Sequence, residues 1–175
     1  IEEENAVPAE LMQKMRDMGL FGLTIPEEYG GLGLGPLGYT LVSEEFGKAH
    51  SAIRSLVGIS NGIGSKALVA SGSTEQKEKY LPRLASGELI AAFAVSEPNA
   101  GSDVSSILTH AKLEGDKYLL NGSKHFITNG PIADIFTVLA STDKAKGSRG
   151  GMSVFLIEKG TPGFSVGRIQ ETMGS

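Results

Sequence analysis

Apolar residues recur at helical spacing through the first half of the chain and alternate with polar ones through much of the second. Leu11, Met15 and Met18 fall at i, i+4 and i+7, with Pro8 suited to a first helical turn and Gly19 placed to end it. Such a methionine stripe reads as core. Gly30-Gly31-Leu32-Gly33 cannot continue a helix and reads as a loop. A second helix is predicted from Pro36 to about Ala49, with Tyr39, Val42 and Phe46 on one face. A third spans about Ser51 to Ser71, where Ile53, Leu56, Val57, Ile63, Ala67 and Leu68 give a wide apolar stripe. Ser73 and Gln76 stand at capping-box spacing and start a short amphipathic helix.

Beyond Gly87 the period changes. Phe93, Ala94 and Val95 read as a buried strand. Thr109 to Glu114, the pair Gly115-Asp116, and Lys117 to Leu120 read as a two-residue hairpin. Asn121-Gly122 is a second turn, leading into a strand around Phe126. Ile135 to Ala140 and Met152 to Ile157 are further strands, separated by the charged loop from Asp143 to Gly151. The shift near residues 88–91 divides the chain into a helical domain, 1–90, and a β domain, 91–175. The fold class is α+β.

The candidate chemistry lies after that division. In Phe93-Ala-Val-Ser-Glu-Pro-Asn-Ala-Gly-Ser-Asp103 an apolar run breaks into a tight polar loop that exposes backbone N–H groups. Gly101 lets the backbone approach a ligand, with the hydroxyls of Ser96 and Ser102 on either side. Some twenty residues on, Lys124-His-Phe-Ile-Thr-Asn129 supplies an aromatic face at Phe126. Thr128 comes two positions later, on the same side of an expected strand. An extended ring with polar edges and a phosphate tail would need such a site.

These segments resemble the flavin-binding signatures of the acyl-CoA dehydrogenase family, an aromatic with V-[TS]-E-P-x-[AS]-G-S-D and later K-x-[WF]-I-[TS]-N. The resemblance extends to Gly22-Leu-Thr-Ile-Pro-Glu-Glu-Tyr-Gly-Gly-Leu-Gly33 and to Gln76-Lys-Glu-Lys-Tyr-Leu-Pro-Arg-Leu-Ala-Ser-Gly87, in the family's order. It implies an N-terminal all-α domain, a middle β-barrel-like domain and a C-terminal four-helix bundle, the last expected beyond Ser175, with the middle domain itself incomplete at that point. It implies FAD, bound by Phe93, Val95, Ser96, Gly101, Ser102, Phe126, Ile127 and Thr128. Thr128 would meet the flavin N5, Phe126 the ring, Ser96 the pyrimidine edge, and Gly101 and Ser102 the pyrophosphate or the CoA end of the substrate; Phe93 and Val95 would be walls. The implied reaction takes acyl-CoA to the trans-2-enoyl-CoA, with electrons passed to an electron-transferring flavoprotein. An oxidase or monooxygenase of the same superfamily and a non-catalytic module are the competing readings.

The family's catalytic base is a glutamate in the region beyond Ser175, so no residue here is assigned as catalytic and the 175 residues alone are expected to be inactive. Glu97 is a structural residue of its turn by the family pattern. Arg54 interrupts an otherwise apolar segment of the third helix, which in this family contributes to the acyl pocket. A guanidinium there could hold an anionic acyl tail, the alternative being a surface arginine.

Composition narrows the rest. A formal charge of −4 gives no basic surface for nucleic acid. No apolar run reaches the ~18 residues of a membrane span. With no cysteine there are no disulfides or thiolate metal sites. His50, His110 and His125 lack metal-ligand spacing, so no metal is expected; His110 and His125 are expected to face solvent from strands. The 24 glycines imply many tight turns. A start at Ile1 with no leader pattern reads as trimmed. The lack of cysteine fits an intracellular setting, and the family resemblance implies bacterial cytoplasm before mitochondrial matrix and an assembly of two or four subunits.

Overall fold

Gly19, at φ +70°, turns the chain at the end of the first helix, α1 (Ala9–Asp17). Pro8 sits one residue before that helix, as its N-cap. In the computed structural model, which describes residues 6–170, the expected stripe holds only in part. Met15 is buried and Leu11 half-buried, but Met18 has left the helix and is 68% exposed. Helix α2 (Pro36–Phe46) ends three residues short of Ala49, because Lys48 and Ala49 donate to Glu45 and Phe46 in tight i−3 turns. Its Tyr39, Val42 and Phe46 pack on a cluster built from Met15, Phe21, Leu23, Leu56, Val57 and Ile90.

The long third helix is two. α3 (Ser51–Asn61) and α4 (Ile63–Ser71) break at Gly62, whose ψ of −115° is far from helical. The apolar stripe runs through the break, so its period gave no warning. Asn61, fully buried, explains part of it. Its amide donates to Leu20 O (2.7 Å) and Val57 O (3.0 Å), and its Oδ1 accepts from Thr24 N (3.2 Å). α5 (Thr74–Ala85) opens with the predicted capping box between Ser73 and Gln76.

Among the described residues, five strands form one mixed sheet. They are β1 (Ala91–Ala94), β2 (His110–Glu114), β3 (Lys117–Asn121), β4 (Ile135–Ser141) and β5 (Met152–Glu158). β5 runs antiparallel along the whole of β4. On the other edge of β4, β1 pairs in parallel from Ala91↔Ile135 to Ala94↔Val138, and His110 of β2 reaches Ser141. The β2–β3 hairpin has the predicted two-residue turn, with Glu114 opposite Lys117 and Gly115 at φ +65°. Val95, expected in the strand that begins the sheet, β1, lies just past its end.

Helices and sheet share packing. Leu68, Tyr80, Leu81, Leu84 and Ala85 from α4 and α5 close on Ala91 of β1 and Ile135 of β4. A second face of β1 and β4, with Ala92, Ala94, Phe136 and Val138, packs with Ala133 against Leu120, Ile127, Ile157 and Phe164. The site is built at this second face.

Candidate functional site

β1 ends at Ala94 and delivers the loop that carries the first motif. Glu97 and Ala100 bond to each other in both directions, N–H to C=O at 2.7 and 3.2 Å, which puts Pro98 and Asn99 at an exposed tip. Gly101 and Ser102 come next, both exposed. Apart from Gly101 itself and its two chain neighbours, no described residue has an atom within 4 Å of where a Cβ on Gly101 would stand, and its φ is not positive. The fold does not require glycine there. The space a side chain would fill is left to whatever approaches from outside.

Beneath the loop is a buried ion pair. The Glu97 carboxylate, on a residue 6% exposed, accepts from Leu108 N (2.7 Å), Thr109 N (3.0 Å) and Lys124 Nζ (2.8 Å). Lys124 Nζ also donates to Val95 O at 2.9 Å. Burial pushes the Glu97 pKa up, but the Lys124 ammonium and the backbone N–H groups of Leu108 and Thr109 outweigh it and hold the carboxyl at about 2. Glu97 is ionised and accepts from three donors. With its carboxyl held at about 2 it is a poor base near neutral pH.

Lys124 begins the second motif, and the next residue tightens the link, His125 N donating to Ser96 O at 2.8 Å. Residues 126–133 do not form the expected strand. Phe126 and Asn129 have φ of +56° and +65°. Gly130 N donates to Ile127 O, and Ile132 N and Ala133 N to Asn129 O, so residues 127–133 form successive turns. Asn129 Nδ2 reaches Ala91 O at 3.2 Å. The premise that Phe126 and Thr128 share one face of a strand is therefore wrong, because bonds to β1 and its loop dictate this backbone.

The outcome still turns Phe126 outward, 72% exposed, and leaves Thr128 exposed, while Ile127 between them packs inward on the sheet cluster. Ser96, Phe93 and Val95 are half-buried. His125 also departs from expectation. It sits on no strand and is half-buried, its ring 3.8 Å from that of Phe126. His110 opens β2 and is exposed. Arg54 is exposed on α3, and among the described residues no hydrogen bond or ion pair joins it to either motif.

The two motifs thus meet, through Lys124–Glu97, Lys124–Val95 and His125–Ser96. Sequence reasoning gave no role to Lys124, Leu108 or Thr109. The available signal was a carboxylate inside a tight turn with a lysine fixed in the second motif.

The N-terminal domain of acyl-CoA dehydrogenases matches residues 1–88, and the middle domain residues 92–175. The mitochondrial isovaleryl-CoA dehydrogenase of Pongo abelii is 46% identical over 94% of this chain and 39% of its own length. A solved chain from work on the electron transferring flavoprotein of Acidaminococcus fermentans superposes with a TM-score of 0.91 at 43% identity, over 97% of this chain and 44% of that one. The acyl-CoA dehydrogenase of Bacillus anthracis, solved in complex with FAD, gives 0.83 at 38% identity, over 93% and 27%. The chain spans less than half the length of the curated relatives it matches. No helix among the described residues is long and apolar enough to cross a membrane. On two domain matches in family order, carried by the fold and by both motifs, the chain belongs to the acyl-CoA dehydrogenase family.

Proposed function

We propose that the protein carrying this chain is an FAD-dependent acyl-CoA dehydrogenase that converts an acyl-CoA thioester to its trans-2-enoyl-CoA. The observation that supports it best is the presentation of Phe126 and Thr128. An aromatic ring and a hydroxyl are held exposed, two residues apart, on a backbone pinned to the loop that carries Ser96, Gly101 and Ser102. The residues present fit a flavin. Phe126 offers an apolar face at the cost of positive φ, and Gly101 leaves open space that packing does not explain. FAD, when bound, supplies the acceptor for the substrate's β-hydride.

The chain's own residues bind and orient. Phe126 gives the ring an apolar seat, which Ile127 anchors to the sheet from behind, Phe93 and Val95 serve as walls, and the Ser96 hydroxyl holds a polar edge of the ring. Thr128 donates a hydrogen bond at the reacting edge, where a donor aimed at developing charge lowers the barrier. Gly101 and Ser102 receive the pyrophosphate or the CoA end of the substrate. Glu97 takes no proton, and by family pattern the base is a glutamate outside these residues. An electron-transferring flavoprotein is the proposed electron acceptor, and the proposed assembly is a homotetramer or dimer. A finer proposal is that Arg54 selects an anionic acyl tail, being a cation without an ion-pair partner among the described residues.

Reconstitution with excess FAD, then anaerobic addition of short and branched acyl-CoA substrates, tests this reading. The flavin absorbance should appear and then bleach. A protein that stays colourless, or whose bound flavin no acyl-CoA reduces, overturns it.

A further inference from the structure

Three stretches distant in sequence converge on one buried pair. Glu97 belongs to the loop after β1, Leu108 and Thr109 to the approach to β2, and Lys124 to the segment after β3. The carboxylate accepts from Leu108 N, Thr109 N and Lys124 Nζ, while Lys124 Nζ turns back to Val95 O. Side chains are 2% exposed for Glu97 and 11% for Lys124. A buried ion pair is a poor source of stability, because desolvation consumes most of the attraction, but it is demanding about geometry. Its charges tolerate few other arrangements, since any drift strands one of them away from water.

The pair also sits where geometry matters. Ser96 lies between the two positions that Lys124 contacts, Val95 and Glu97. Ser96 O is itself fixed by His125 N. Phe126 and Thr128 come within four residues of Lys124, on backbone whose positive φ values give no regular ladder to hold it. The sheet holds the far end of the second segment, through Asn129 Nδ2 on Ala91 O and Ile127 on the β1–β4 cluster, but its near end is tied directly to the loop. That tie consists of the His125 N bond to Ser96 O and the bonds of Lys124 Nζ to Val95 O and Glu97, and the pair is its buried, charged part.

We infer that Lys124 and Glu97 act together as a positioning pair, setting the distance between Ser96 on one segment and Phe126 and Thr128 on the other, so that they bind a single flavin. The inference rests on the proposed flavin site, and it assigns the pair no contact with the flavin. Its consequence is that the pair governs cofactor affinity and potential through register and not through charge at the ring.

The test uses the whole protein that carries this chain, as wild type, Lys124→Met, and the double variant Glu97→Gln with Lys124→Met. The double variant strands no buried charge and carries the test if the single one does not fold. Three quantities are read: FAD affinity, the midpoint potential of the bound flavin, and amide hydrogen exchange at Leu108, Thr109 and His125 in the absence of FAD. We expect the double variant to fold, to bind FAD about ten-fold more weakly or worse, to show a shifted potential, and to exchange faster at all three amides. Wild-type affinity and potential in a folded double variant overturn the inference, even if stability falls. A wild type that binds no FAD overturns the proposed function instead. The exchange measurement then decides the pair, since unchanged protection at the three amides shows that it holds no register.

Discussion

The imidazole of His125 lies against the ring of Phe126, with centroids 3.8 Å apart and planes tilted by 31°. Phe126 needs such support. It has left-handed backbone, is largely exposed, and has no strand neighbours to fix its ring. An aromatic pair of this kind contributes about 0.5–1.5 kcal/mol beyond area burial. His125→Ala should therefore lower stability by about 1 kcal/mol and weaken FAD binding, while His125→Phe should preserve both. Urea unfolding with parallel flavin titrations checks this, and equal FAD affinity in the alanine variant shows that the stack does not support the site.

Thr128→Val removes a hydroxyl from an exposed residue outside any strand, so the fold should be unaffected. Flavin should still bind. Its reduction by acyl-CoA should slow by about one to two decades if the hydroxyl meets the reacting edge. Stopped-flow absorbance reads that rate, and no change would place Thr128 elsewhere.

Glu97 makes stability depend on acid. Its folded pKa, about 2, lies below the ordinary value of 4.5, so the unfolded chain takes up the proton first as pH falls. The contribution is fully present above about pH 4.5, fades as pH drops toward 2, and amounts to about 3 kcal/mol at most. Denaturant midpoints measured across that window should fall more steeply for wild type than for Glu97→Gln. Parallel slopes would mean that the carboxylate is not held ionised.

Asn61→Leu should be costly although it places an apolar side chain at a fully buried position. It leaves Leu20 O and Thr24 N, both served by the Asn61 side chain, without that partner. Buried groups left unsatisfied cost about 1–3 kcal/mol each, so a loss of about 2–4 kcal/mol is expected. Equilibrium unfolding measures it. A loss under about 0.5 kcal/mol, the range of an ordinary surface change, would mean that Asn61 does not hold the α3–α4 corner.

Arg54→Met should leave stability nearly unchanged, since the residue is exposed on α3. If Arg54 meets an anionic tail in a closed pocket, the kcat/KM preference for dicarboxylic over plain acyl-CoA should fall by about 2–5 kcal/mol. A substrate panel on both proteins decides it. An unchanged ratio marks Arg54 as a solvated helix residue.

Local chemistry made some of this structure readable. Ser73 and Gln76 cap α5 as their spacing dictates, and Gly115-Asp116 closes its hairpin, because each depends on neighbours within a few residues. The break at Gly62 and the turns after Phe126 depend on distant partners. Asn61 answers to Leu20 and Thr24, and Asn129 to Ala91. No period along the chain encodes those partnerships. The motif residues were legible as a set, and Lys124 and Glu97 left a signal in their side chains, whereas the bond from His125 N to Ser96 O is backbone only and leaves no trace in the pattern of side chains.

The parallel pairing of β1 with β4 has a consequence for how the chain is made. Ala91 meets Ile135, 44 positions later, and both complete the cluster on which Leu68, Leu81 and Leu84 close. A ribosome releases helices α1 to α5 before it has synthesised that partner strand, so the helical half waits with an open apolar face. Loop closure over that span must come before the contacts that reward it, which slows folding and exposes the nascent chain to association. Stalling synthesis after residue 90 should yield a chain with helical circular dichroism that binds hydrophobic dyes. Release past β5 should bury that face in one cooperative step.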